Sequence, residues 1–174
     1  MDVIVDPLRT TRLVLTPVRP DDVDAIFQVA RTPESIEDYQ RAASTPADVA
    51  EWLLPTIDGR DAAWTIRADD VVIGLVSLEP DDSWAAAATA ELGYFVDVGH
   101  SGRGVATEAA TAAVDWAWSA TSIERITAGV TVRNPASLRV LEKLGFDHVR
   151  TVPDDWEWDG QRFDSAYYEL ARPD

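Results

Sequence analysis

A mixed α/β (α+β) fold is predicted for this chain: one domain over residues 1–174, with a central, mostly antiparallel sheet of about seven strands flanked by about four helices. Three patterns predict it. A strand-like run from Leu92 to Val98 gives way to Gly99, Gly102 and Gly104, and then at once to helical spacing at Val105, Ala109, Ala112, Ala113 and Trp116. A second helix is marked at both ends, by Asn134-Pro135 and by Gly145. The remaining apolar runs are short, and the whole reads strand, two helices, three strands, helix, strand, helix, two strands.

Taken in order, Leu13-Val-Leu-Thr-Pro17 reads as a first strand, and Arg19-Pro-Asp-Asp22 opens a helix carrying Val23, Ile26, Phe27 and Ala30. Thr45 caps a second helix with Pro46 at its first position, and Pro55 is expected to stop it at Leu54. Ala62–Arg67 and Val71–Leu78 flank Ala68-Asp-Asp70 as a hairpin. An acidic turn, Glu79 to Trp84, then leads into the strand before the glycines. After the glycine-led helix come a strand at Ile123–Val132 and the Asn134–Gly145 helix. Two final strands, Phe146–Val152 and Phe163–Leu170, are joined by a connection over Pro153–Gly160.

Composition narrows the function classes. There are no cysteines, which removes disulfides, thiol nucleophiles and thiolate metal sites; two histidines make a histidine-rich metal site a poor reading, and no metal is implied. No apolar run approaches the ~20 residues that cross a bilayer, and Met-Asp-Val-Ile-Val-Asp lacks the basic start of a secretory signal. A cytoplasmic location away from membranes is expected. Net charge is −16, which disfavours nucleic acid and favours a cationic partner. That charge is unevenly spread. Between Asp97 and Gly145, five basic residues (Arg103, Arg125, Arg133, Arg139, Lys143) balance five acidic ones (Asp97, Glu108, Asp115, Glu124, Glu142), so an anionic ligand would find local neutrality there.

The strand–glycine–helix junction suits such a ligand. Its glycines permit close backbone approach, and the unpaired N–H groups of the first helical turn favour phosphate. A nucleoside-triphosphate loop would end in Gly-Lys-Ser/Thr, whereas Gly104 is followed by Val105 and Ala106. A dinucleotide fingerprint would want a small residue at Thr107 and an earlier place in the chain. A connection that binds nothing is the structural alternative.

Two segments together resemble the GNAT superfamily of acyl-CoA-dependent N-acyltransferases. Glu91-Leu-Gly-Tyr through Gly102-Arg-Gly-Val-Ala-Thr-Glu-Ala109 is similar to its strand, pyrophosphate loop and helix. Asn134-Pro-Ala-Ser-Leu-Arg-Val-Leu-Glu-Lys-Leu-Gly-Phe146 resembles the Asn-x-x-Ser-x-Arg-Val-Leu-x-Lys-Leu-Gly-Phe helix of the Rim-type branch, which acetylates ribosomal-protein N-termini, and Thr11–Pro20 looks like that branch's first strand. The resemblance implies transfer of an acetyl group from acetyl-CoA to a primary amine, either a protein N-terminal α-amino group or a cationic small molecule such as a polyamine or aminoglycoside. A non-catalytic acyl-CoA-binding sensor and a nicotinamide-dependent enzyme are the competing readings. Monomer and homodimer both remain open.

By the same resemblance, coenzyme A is held by Phe95, Val96, Ser101, Gly102, Arg103, Gly104, Val105, Ala106, Asn134 and Ser137. A backbone N–H near Phe95 and Val96 is the expected oxyanion donor. The family's loop usually begins with Gln or Arg where this chain has Ser101, so Arg103 is expected to add charge. Glu91, the one carboxylate in the middle of the sheet pattern, is the candidate proton acceptor; a strand-end surface charge is its bland alternative. Ser137 is the candidate near the cofactor's sulfur. Many family members carry a tyrosine acid where Leu141 stands, and Tyr94 could substitute. The acceptor is expected among Glu34, Glu37, Asp38 and Tyr39; Asp81, Asp82 and Trp84; and Asp154, Asp155, Trp156, Glu157 and Trp158, where carboxylates lie beside aromatic faces.

Overall fold

A computed structural model describes residues 5–32 and 43–173. Its eight strands are β1 (Leu8–Arg9), β2 (Val14–Pro17), β3 (Ala62–Ala68), β4 (Val71–Pro80), β5 (Thr89–Val96), β6 (Arg125–Thr131), β7 (Asp147–Trp158) and β8 (Gln161–Ala171). Four helices accompany them among the described residues: α1 (Val23–Ala30), α2 (Pro46–Ile57), α3 (Val105–Ala120) and α4 (Pro135–Leu144). The strands form one sheet in the order β1-β2-β3-β4-β5-β6-β8-β7, antiparallel throughout except for β5 beside β6.

Alternation along the strands sends side chains to two cores. Beneath α1 and α2, Ile26, Val49, Leu53, Leu75 and Phe95 pack together. On the opposite face α3 lays Ala109, Ala110, Ala113 and Ala117 against Trp64, Leu78 and Leu92, with Leu141 of α4 in the same cluster. A stripe of alanines lets that helix come close to the sheet, where bulkier side chains would hold it off. The Asp69-Asp70 turn between β3 and β4 has φ of 47° and 63° at its two residues, the left-handed pair that a tight hairpin needs. At Gly74 a side chain is excluded outright, since a Cβ would stand 2.3 Å from the Phe95 carbonyl oxygen.

Four differences from the sequence expectations bear on the site. Pro55 does not stop α2, which runs to Ile57: in a last turn a proline forfeits little, and its own carbonyl accepts from the amides of Arg60 and Asp61. The eighth strand, β1, is a two-residue partner of β2 too short to show periodicity. Most of the expected 153–160 connection is strand, because β7 resumes pairing at Trp156 after a register shift and turns only at Asp159-Gly160. Likewise β4 runs on through Glu79 to Pro80, which sets Glu79 directly opposite Glu91. Glu91 is therefore not the sole carboxylate in mid-sheet.

The β1–β2 turn is tied to the start of α3. Glu108 accepts from the Thr10 hydroxyl at 2.5 Å, the Arg12 amide at 2.9 Å and the Arg12 Nε at 2.7 Å. Burial pushes this carboxyl upward, but those hydrogen bonds and the Arg12 charge outweigh it and hold Glu108 below its ordinary value of 4.5. A carboxyl lowered in the folded state contributes stability that is full above its unfolded value and lost as pH falls through the folded one. Glu108→Gln is accordingly expected to lower the melting temperature by about 3 °C or more near neutral pH. Melting curves down the pH scale should show the gap to wild type narrowing below about pH 4.

Candidate active site

The site begins where two strands part. β5 and β6 pair in parallel only at Thr89–Arg125, Ala90–Ile126 and Glu91–Thr127; beyond them β5 continues along β4 and β6 along β8. Amides alternate sides along an antiparallel strand, and the Asp97 N–H donates to the Ile73 carbonyl at 2.7 Å. Phe95, opposite Leu75, therefore turns its amide to β4, and Tyr94 and Val96 turn theirs into the gap.

Helix α4 closes the far side of this gap. Asn134 caps it, its side-chain oxygen accepting from the Ser137 amide at 2.9 Å, while Gly145 ends it with φ of 85°. Tyr94 reaches across from β5, and its hydroxyl lies 2.7 Å from the Ser137 hydroxyl. Past β5, Gly102 and Gly104 adopt φ of 73° and 78°, conformations that suit glycine, and α3 starts immediately after Gly104.

Between loop and helix runs a groove of about 250 Å³. Phe95, Val96, Ser101, Gly102, Gly104, Val105, Ala106, Asn134 and Ser137 line it, so the structure brings together nine of the ten residues expected to hold a cofactor. Arg103 is not among the lining residues: its side chain is exposed, and its carbonyl accepts from Arg12 Nη1 at 3.0 Å. Positive charge comes instead from Arg139 and Lys143 of α4, which line the groove with Ala136 and Val140. Sequence reasoning missed these two, although 136, 139, 140 and 143 share one helical face. Thr107 and His100 were missed as well; the His100 ring is held 3.0 Å from Asp97. Two cations beside a helix N-terminus make the groove suited to a phosphorylated ligand.

The opposite face of the sheet carries a second constellation. Glu91 shares the side of Phe95 and leans over β6, where Gly129 leaves room; a Cβ there would lie 3.7 Å from Glu91 Oε1 and 3.3 Å from Tyr167 Cε1. Tyr167 donates to Asp155 at 2.6 Å, and the Arg150 guanidinium sits 4.6 Å from the centre of its ring. Half-buried Trp156 stacks on Trp158 and tilts against Phe163. The last hairpin thus brings Asp155 and Trp156 to the face that carries Glu91. Glu157 is paired with Arg162.

Trp84 is a correction. It is 6% exposed and packs edge-on to Trp116 under α3, on the other side of the sheet from Glu91, because the 81–88 segment folds into the larger core. It offers no surface to an acceptor. Glu34, Glu37, Asp38 and Tyr39 lie outside the described residues.

Comparison with known proteins agrees with this geometry. Residues 12–147 match the acetyltransferase (GNAT) domain family. The chain is 48% identical over 107 residues to "Probable N-acetyltransferase YjcK" of Bacillus subtilis, a match spanning 62% of this chain and 59% of that protein. Among solved structures, spermidine N-acetyltransferase from Vibrio cholerae in complex with CoA and spermine superposes with a TM-score of 0.81 at 18% identity, covering 94% of this chain and 97% of that one. Mycobacterium smegmatis RimJ in complex with CoA-disulfide gives 0.78 at 23% identity, covering 95% and 85%. At these identities the structures show a shared fold. The chain belongs to the GNAT acetyltransferase family.

The Tyr167–Asp155 contact makes a spectroscopic prediction. The hydrogen bond to Asp155, then burial and the Asp155 charge, raise the Tyr167 phenol above its ordinary 10.0, with Arg150 acting in the opposite direction. Asp155→Asn is expected to bring the ionisation of one tyrosine to lower pH in ultraviolet titration, and Tyr167→Phe is expected to remove that same step.

Proposed function

We propose that this protein acetylates a primary amine that arrives as a cation, using acetyl-CoA as donor. One observation carries the proposal: the groove reaches Phe95 and Val96 on the free edge of β5, the same strand on which Glu91 is the last residue paired with β6. The N-terminus of α3, Arg139 and Lys143 suit the cofactor's phosphates, and the gap beside Tyr94, Val96 and Ser137 suits its pantetheine arm. Acetyl-CoA supplies the activated acetyl thioester.

The protein's own residues would supply three things. An alkyl amine with pKa near ~10 is only about one part in a thousand neutral at pH 7, so a base is needed, and Glu91 would take the proton directly or through water. The Val96 N–H, turned into the gap, would stabilise negative charge on the acyl oxygen. Ser137, across the gap, would face the departing sulfur.

Glu79 opposite Glu91, and Asp155 and Trp156 on the same face of the sheet, favour an amine carrying positive charge. A protein N-terminal α-amino group and a small polycation both fit that description. Support for the cationic guest comes also from the overall charge of −16.

The test is release of free thiol from acetyl-CoA in the presence of a panel of polyamines, aminoglycosides and peptide N-termini. Wild type is expected to turn over at least one class, and Glu91→Gln to lower kcat by about 10²-fold or more, with KM for acetyl-CoA little changed. Neutralising Asp154, Asp155 and Glu157 together should raise KM for the preferred amine. Binding of acetyl-CoA without thiol release on any amine would instead mark an acyl-CoA sensor.

A further inference from the structure

We infer that Arg12, on the turn between β1 and β2, is a positioning residue for cofactor affinity: it sets the peptide between Arg103 and Gly104 so that the Gly104 N–H is presented to the cofactor's phosphates. The assignment rests on the reading of the groove as the acetyl-CoA site. The Arg12 guanidinium joins two groups at the start of α3. Its Nε and Nη2 meet Glu108 Oε2 at 2.7 and 2.6 Å, and its Nη1 donates to the Arg103 carbonyl oxygen at 3.0 Å. The turn that carries Arg12 is anchored to the same carboxylate, since Glu108 Oε1 accepts from the Arg12 amide and from the Thr10 hydroxyl. The Leu13 amide in turn donates to the Thr10 hydroxyl oxygen at 3.0 Å, which closes the turn on itself.

The direction of one amide follows from these contacts. A trans peptide points its C=O and its N–H to opposite sides, and no cis bond occurs among the described residues. With the Arg103 carbonyl turned towards Arg12, the Gly104 N–H is turned away from it. Gly104 lines the groove, whereas Arg12 is not among the lining residues. Arg12 Nη2 instead lies 3.5 Å from where a Gly104 Cβ would stand, so the guanidinium packs behind the loop. The next carbonyl, that of Gly104, is committed to the Glu108 amide at 3.0 Å.

Glycine makes such a clamp necessary. Gly104 holds φ of 78°, and without a Cβ it is about as free at negative φ. Half a turn of the 103–104 peptide carries φ to the negative side and exchanges the N–H for a carbonyl oxygen, whose negative end repels phosphate. Arg12 holds that oxygen on the far side of the loop. A guanidinium suits the task because its rigid fork reaches the carboxylate and the carbonyl together, whereas an ammonium is a point charge. The same contact neutralises Glu108, which otherwise leaves an unpaired carboxylate in the first turn of the helix that faces the phosphates.

The test compares wild type with Arg12→Ala on two acetyl donors in the thiol-release assay: acetyl-CoA, and S-acetylpantetheine, which carries the thioester but no phosphate. Coenzyme A affinity is measured by calorimetry, and melting curves establish that the variant is folded at the assay temperature. Arg12→Ala is expected to raise the Kd for coenzyme A about 10-fold or more and to lower kcat/KM for acetyl-CoA by a similar factor. Its kcat at saturating acetyl-CoA and its kcat/KM for S-acetylpantetheine should stay within about threefold of wild type. Equal losses on both donors mark a general structural role and overturn the inference. Should Arg12→Ala fold poorly, Arg12→Lys keeps the charge beside Glu108 but not the fork; it should still lose coenzyme A affinity, and wild-type affinity in that variant overturns the inference. If wild type binds coenzyme A and a folded Arg12→Ala binds it as tightly, Arg12 has no such role and the reading of the groove stands. If wild type binds no coenzyme A, both fall.

Discussion

Everything in this site depends on a parallel pairing that is abandoned after three residues. Were β5 and β6 to remain hydrogen-bonded along their length, the amides of Tyr94 and Val96 would be consumed by the ladder and no gap would exist. Because they part at Glu91 and Thr127, one strand edge becomes available to a ligand in the middle of a rigid sheet. The surrounding structure keeps them apart: β4 and β8 hold the two strands on their outer sides, and α4, capped at Asn134, stands across the opening with Ser137 against Tyr94. A pre-formed gap of this kind spares the ligand the cost of ordering its own site.

The two faces of the sheet divide the electrostatic work. On the groove side the N-terminus of α3, Arg139 and Lys143 supply positive potential, and Glu108 in that first helical turn is already satisfied by Arg12 and Thr10. On the other side Glu79, Glu91 and Asp155 gather in a strongly acidic protein, tempered by Arg150 over the Tyr167 ring. On the proposed reading, an anionic donor and a cationic acceptor approach from regions of opposite sign. Salt should weaken both approaches, the more exposed one most.

What could be read in advance was what is local in the chain. Gly102 and Gly104 announce left-handed backbone, and Asn134, Pro135 and Gly145 announce where a helix begins and ends; both signals depend on a few consecutive residues, and the structure places those features there. Register was not legible in the same way. That Glu79 faces Glu91 across two strands, that β7 resumes pairing at Trp156 after its shift, and that Trp84 turns inward to meet Trp116 are decided by contacts between distant segments. Arg139 and Lys143 fall between these cases. Their helical face could be counted out, but which face looks at the groove follows only from how α4 sits on the sheet.

Amide hydrogen exchange in the presence of coenzyme A tests the central claim most directly. If the parted strand and the glycine loop form the cofactor site, exchange should slow at the amides of residues 102–107 and at Val96, with the β2–β3 and β7–β8 pairings little affected. Coenzyme A that leaves those amides unprotected, or protects a different part of the sheet, would contradict the account.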